Sequence, residues 1–208
     1  SNTSNPNNYD ALMQSLIYDW RAKWNSNNLP FLYVQLPNFM EPKLQPEESA
    51  WATLRQQQLN TLIVPNTSMA VGIDLGKWND IHPENKLDIG HRLALLARKN
   101  VYGEKDIVAT GPMIQSILVN QEKIILTFTG IGSGLVAKGD KELHQFQIAG
   151  ADKKFVWAQA IIKNNQVIVW NETVQKPIFA RYAWADNPAG ANLYNKEGLP
   201  AAPFSSIK

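Results

Sequence analysis

The sequence predicts an α/β fold in which a partial, doubly wound parallel sheet is followed by an antiparallel β-sandwich. Three observations carry this expectation. Residues 9–100 alternate runs of helical period with strand-like runs, the pattern of parallel strands joined by right-handed crossovers. Beyond Tyr102-Gly103 the runs are short and alternating, and turn signals separate them, as in a sandwich. Of the 208 residues, 44% are hydrophobic and 18% charged, which is the balance of a folded chain and not of a disordered one. The change of pattern places a boundary near Tyr102 to Asp106, dividing the chain into residues 1–103 and 104–208.

The elements follow in order. Residues 1–8 are polar and turn-rich, and Asn7 or Asn8 is expected to cap the helix that follows. Over residues 9–24, Tyr9, Leu12, Met13, Leu16, Ile17, Trp20 and Trp24 recur at spacings of three and four, which predicts a helix with one buried face. Residues 31–36 form a short aromatic and β-branched strand ended by Pro37. Ser49 begins a second helix with Trp51, Leu54 and Leu59 on one side. A strand over residues 68–73 and a loop containing His82 precede a third helix over residues 84–100. In the second half, strands are expected at 114–119, 123–129, 134–137, 145–148, 155–162, 167–170 and 178–184. The tail from Asn187 is rich in Pro, Gly, Ala and Asn and is expected to lie over the surface without regular structure.

Composition excludes several function classes. The formal charge is +2 with no basic block, so neither nucleic acid nor an anionic membrane is an expected partner. No apolar run approaches the roughly 20 residues of a membrane span. Cysteine is absent, which removes disulfides and thiol chemistry. His82, His91 and His144 lack metal-ligand spacing, and no metal or other cofactor is expected. Seven Trp, seven Phe and six Tyr are many for this length, and serve either as core or as sugar-stacking platforms.

The chemistry concentrates in residues 78–83, Trp-Asn-Asp-Ile-His-Pro. A His stands two residues after an acid, in a loop between a strand and a helix, where scaffolds present reactive side chains. An imidazole held by a carboxylate is the usual general base for a serine nucleophile. Asp80 either orients the His82 ring or caps a turn, and a single Asp-x-His is by itself a weak signal. Gln35, at a strand end, is expected to face the cleft. Arg55 either meets an acidic sugar's carboxylate through a bidentate pair or is a solvated helix residue. Asp74 ends a strand, and His91 and His144 read as structural. Nothing in the chain has the form of a nucleophile elbow; Gly132-Ser-Gly134 sits between strands.

Several separated stretches resemble the C-terminal portion of the sialate O-acetylesterase family, of the SGNH-hydrolase type. They are Asp19-Trp-Arg21, Phe31-Leu-Tyr-Val-Gln-Leu-Pro-Asn38, Ser49-Ala-Trp51, Ile73-Asp-Leu-Gly76, Asn79-Asp-Ile-His-Pro83, Gly90-His-Arg-Leu93, Arg181-Tyr-Ala-Trp-Ala-Asp-Asn-Pro188 and Asn192-Leu-Tyr-Asn-Lys-Glu-Gly-Leu-Pro200. The resemblance covers nearly the whole chain and is specific only when the stretches are taken together. It implies that His82 is the base of a catalytic triad. The family type usually has Asp-x-x-His, which would place Asn79 where an acid is expected, so the orienting acid is either Asp80 or none. Ser1-Asn2 resembles the end of a Gly-Glu-Ser-Asn block, which implies that the Asn2 side chain donates to the oxyanion. The nucleophilic Ser is implied to lie upstream of residue 1, in a Gly-rich turn.

Two readings follow. In the first, residues 1–103 are the C-terminal part of a hydrolase domain and residues 104–208 a sandwich packed on it. The assembly removes acetyl groups from sialic acid or related sugars. The expected partners are an O-acetylated sugar and an upstream segment or second chain that supplies the Ser. The expected compartment is periplasmic or extracellular. In the second reading, the aromatic-rich sandwich binds glycan without catalysis.

Overall fold

The computed structural model describes residues 2–207. The elements are α1 (Tyr9–Lys23), β1 (Phe31–Val34), α2 (Ala50–Asn60), β2 (Thr67–Ala70), α3 (Lys86–Asn100), β3 (Met113–Asn120), β4 (Lys123–Thr129), β5 (Leu135–Ala137), β6 (Phe146–Ala149), β7 (Val156–Trp157), β8 (Gln159–Lys163), β9 (Gln166–Trp170), β10 (Phe179–Tyr182), β11 (Leu193–Asn195) and β12 (Phe204–Ser205). Short 3-10 turns stand at Asn2–Ser4, Pro6–Asn8 and Thr61–Ile63. The fold is mixed α/β with several sheets, most of them antiparallel.

Two helix starts follow sequence chemistry. Ser49 caps α2, its hydroxyl accepting from Ala52 N at 2.8 Å. Asn85 caps α3 by accepting from Asp88 N at 3.1 Å. Each satisfies a backbone donor that the first helical turn leaves free. The cap expected at Asn7 or Asn8 is not formed: α1 continues directly from the turn at Pro6–Asn8, and no amide side chain caps it.

β1 and β2 pair in parallel from Phe31↔Thr67 to Val34↔Ala70, and the chain segment between them contains α2. The strands of the second half form two four-stranded sheets, in the orders β12-β10-β6-β7 and β3-β4-β9-β8, and a two-stranded sheet β11-β5. The run expected as one strand over 155–162 is two. β7 pairs with β6, β8 pairs with β9, and the chain changes sheets at Ala158, whose N–H donates to Phe146 O at 2.9 Å.

Alternation explains the packing. Ile124, Leu126 and Phe128 of β4 and Val167 and Val169 of β9 turn inward. They meet the other four-stranded sheet, with the Phe128 and Phe204 rings 6.1 Å apart. The same hydrophobic cluster includes Tyr33, Met69, Val71 and Ile73 from the helix-bearing half. One core therefore runs through both sides of the boundary drawn at residues 102–106.

The tail corrects the sequence expectation. β11 and β12 lie within residues 187–207, and Leu193, Ala201, Ala202 and Phe204 have no exposed surface. Its asparagines act as surrogates for backbone. Asn195 donates to Thr110 O and Gly130 O at 3.0 Å each and accepts from Leu199 N at 2.9 Å. The alanines are small because they are packed, which composition alone reads as a loop.

Phe204→Ala is expected to cost about 3–5 kcal/mol in urea unfolding. A superficial tail would instead give a change of about 0.5 kcal/mol or less.

Candidate active site

Because β1 and β2 are parallel, their C-terminal ends leave the sheet on the same side. β1 runs out through residues 35–38. β2 runs out through residues 72–74 into the loop 75–85, which carries His82 and enters α3. Gly76 is required in this loop, since a Cβ there would overlap the carbonyl of Asn38. Gly76 N donates to Asn38 Oδ1 at 2.7 Å, and Trp78 O accepts from Met40 N at 2.9 Å. Lys77 and Glu84 form an ion pair of 2.6 Å across the loop.

His82 and Asp80 are neighbours here. The His82 backbone N–H donates to Asp80 Oδ1 at 2.8 Å, while the ring Nδ1 lies 3.4 Å from the same oxygen. The first distance is a good hydrogen bond and the second is a looser electrostatic contact. The bond from the His82 backbone is the main cause that lowers the Asp80 carboxyl below its usual value, with the imidazole and Lys77 adding to it. Asp80 thus closes the turn and still faces the ring. The His82 side chain is 83% exposed, and Trp78 and Ile81 beside it are 54% and 40% exposed. Among the described residues, no serine hydroxyl is hydrogen-bonded to His82.

The other predicted residues are placed differently. Arg55 has no exposed surface. Its guanidinium donates to Leu36 O, Pro37 O, Ala185 O and Asp186 O at 3.1, 3.0, 2.7 and 2.6 Å. Burial lowers its pKa and the Asp186 charge opposes that change. Both sequence readings of Arg55 are therefore corrected: with four bonds to backbone it neither meets a sugar carboxylate nor stands in solvent. Gln35 is also fully buried and donates to Arg55 O at 3.1 Å, so it lines no open cleft; its Oε1 has no partner. Asn2 is exposed in a turn that packs on α2, and no hydrogen bond among the described residues joins it to the His82 loop. Ser1 lies outside the described residues. His91 is exposed on α3, and His144 is exposed with its Nε2 2.8 Å from Asp140 Oδ2.

Sequence reasoning missed the residues that hold the loop. Arg92 of α3 pairs with Asp74 through two bonds of 2.7 Å and donates to Val71 O at 2.5 Å. The Tyr194 hydroxyl donates to Asp74 Oδ2 at 2.9 Å. Burial would raise the Asp74 carboxyl, but Arg92 and Tyr194 outweigh it and hold it below the usual range. Asn187 bonds to Asn38 and Met40. The resemblance stretches contained Asn38, Asp74, Arg92, Asn187 and Tyr194, yet no spacing rule pairs positions 74 and 194 or 38 and 187. Among the described residues, no three His, Cys, Asp or Glu side chains cluster as a metal site.

The βαβ unit thus places His82 and Asp80 beyond the carboxyl ends of its strands, where open α/β sheets bind their ligands. The resemblance read from the separated motifs holds in the comparisons with known proteins. The chain is 27% identical over 221 residues to the sialate O-acetylesterases of Pongo abelii and Homo sapiens, covering 94% of itself and 42% of each relative. It matches the crystal structure of a carbohydrate acetylesterase from Xanthomonas citri with a TM-score of 0.92 and 42% identity, over 97% of this chain and 46% of that one. No family model matches. The chain spans less than half the length of these relatives.

Two measurements check the supporting structure. Arg55→Leu, which strips four carbonyls of their donor, is expected to cost about 3–5 kcal/mol in urea unfolding; a change under about 1 kcal/mol would show that those bonds contribute little. For Asp74, a carboxyl lowered in the folded state stabilises fully above the unfolded value of about 4 and loses its contribution as pH falls through the lower folded value. The stability advantage of the native protein over Asp74→Asn should be constant above about pH 4 and shrink below it. An advantage that grows on acidification would contradict the assignment.

Proposed function

We propose that residues 1–208 are part of a serine esterase that removes O-acetyl groups from sialic acid or related sugars, with His82 as its general base. The observation that carries this reading is the His82–Asp80 loop at the exit of a parallel strand, in a chain 42% identical to a carbohydrate acetylesterase. The reading includes completion of β1 and β2 into an SGNH-type sheet, and a sandwich formed by the second half.

The mechanism follows from what each group can donate or accept. A Ser hydroxyl from polypeptide outside these residues attacks the acetyl carbonyl carbon as His82 takes its proton. The tetrahedral intermediate places negative charge on the former carbonyl oxygen. The Asn2 amide, with backbone N–H groups, is the proposed donor to that charge; such a donor is worth roughly 2.7–4 kcal/mol. The intermediate collapses, His82 returns the proton to the sugar oxygen, and the sugar leaves. Water, deprotonated by His82, then hydrolyses the acetyl-enzyme. Asp80 orients the ring and stabilises its protonated form.

The exposure of His82 supports the need for further polypeptide. A general base acts where water is excluded and donors are pre-arranged, and an imidazole 83% exposed has no such surroundings of its own. Trp78 and Ile81 offer apolar surface beside it. The proposed compartment is periplasmic or extracellular, where acetylated glycans are presented. No observation favours the non-catalytic glycan-binding reading.

In the assembled enzyme, His82→Ala is expected to lower kcat for acetyl-ester hydrolysis roughly 10⁴-fold or more with the fold intact. Asp80→Asn should lose less. Near-normal turnover by folded His82→Ala protein would remove the proposal. The 208 residues alone should be a poor esterase; ordinary turnover, blocked by a serine-directed reagent, would place the nucleophile inside them.

A further inference from the structure

We infer that Asn187, from the strand-bearing half, is a positioning residue for the His82 loop. The inference rests on the reading of His82 as the base. Asn187 is 6% exposed and uses both ends of its amide. Its Oδ1 accepts from Asn38 Nδ2 at 3.1 Å, and its Nδ2 donates to Met40 O at 2.6 Å. Each partner continues to the base loop. Asn38 Oδ1 accepts from Gly76 N at 2.7 Å, and Met40 N donates to Trp78 O at 2.9 Å. One side chain thus fixes two points shortly before His82, along two independent hydrogen-bonded paths. The Lys77↔Asp80 bridge carries that order on to the acid beside the imidazole.

The chemistry explains why an amide stands there. Asn38 offers a donor and Met40 a carbonyl acceptor, so the residue between them must accept and donate at once. A carboxylate would lose the donor and face the Met40 carbonyl. An aliphatic side chain would serve neither path. Met40 has φ 74°, a left-handed conformation uncommon for a residue with a side chain, and the bonds on both of its backbone groups hold it there. The neighbouring Phe39 N–H is tied to Asp186 O at 3.2 Å. Residues 38–40 are thereby clamped between Asp186-Asn187 and the His82 loop.

The test uses Asn187→Ala and the near-isosteric Asn187→Asp. In the assembled enzyme each should lower kcat about 10- to 100-fold, the effect of an ångström-scale misplacement, with KM within about two-fold. Added to His82→Ala, Asn187→Asp should cost no further activity, because the residue acts through the base. In the 208-residue chain, the His82 ring resonances should shift in both variants while those of His91 and His144 stay. Unchanged kcat, an equal loss in the His82→Ala background, or an unmoved His82 resonance would overturn the inference. Should His82→Ala itself leave turnover intact, the esterase reading fails, and the His82 resonance still decides whether Asn187 positions the loop.

Discussion

The buried guanidinium of Arg55 is the interaction on which the site's geometry rests. It reaches two carbonyls at the exit of β1, Leu36 and Pro37, and two in the segment after β10, Ala185 and Asp186. A fixed planar fork holds several acceptors in one plane, where a lysine would offer a single point of charge. The cost is burial of a cation. It is offset by four short bonds and by Asp186, whose carboxylate also accepts from the α2 cap residue Ser49 at 2.5 Å. Breaking one partner would leave the others buried and unmatched.

The consequence is that the His82 loop belongs to both halves of the chain. Its entry is held at Asp74 by Arg92 from α3 and Tyr194 from β11. Its middle is held through Asn38 and Met40 by Asn187. Hydrophobic burial adds to this, because β1 and β2 contribute to the same cluster as the two four-stranded sheets. The strand-bearing half therefore helps to hold the His82 loop and is not an appended module.

Much of the fold was legible in the sequence because its signals are local. Helical period marked α1, α2 and α3, Ser49 marked a cap, and alternation marked β4 at its observed bounds. The place of His82 in a loop was legible because that loop lies between two recognisable elements. What failed depends on distant residues. Arg55 looked like a surface helix charge because its four acceptors are backbone groups, which carry no side-chain signature. The tail looked irregular because Ala201 and Ala202 fill space as efficiently in a core as they would in a loop. The split at Ala158 turns on which sheet each piece joins, a matter that strand propensity does not encode.

The central claim is that an exposed imidazole on this chain completes a serine esterase. Its most direct test is a crystal structure of the assembled enzyme after reaction with a phosphonate that traps serine nucleophiles. The expected result is one modified serine, outside residues 1–208, with its Oγ about 2.6–3.2 Å from the His82 ring. A modified serine within residues 1–208, or a labelled serine whose Oγ lies beyond hydrogen-bond reach of His82, would contradict the claim.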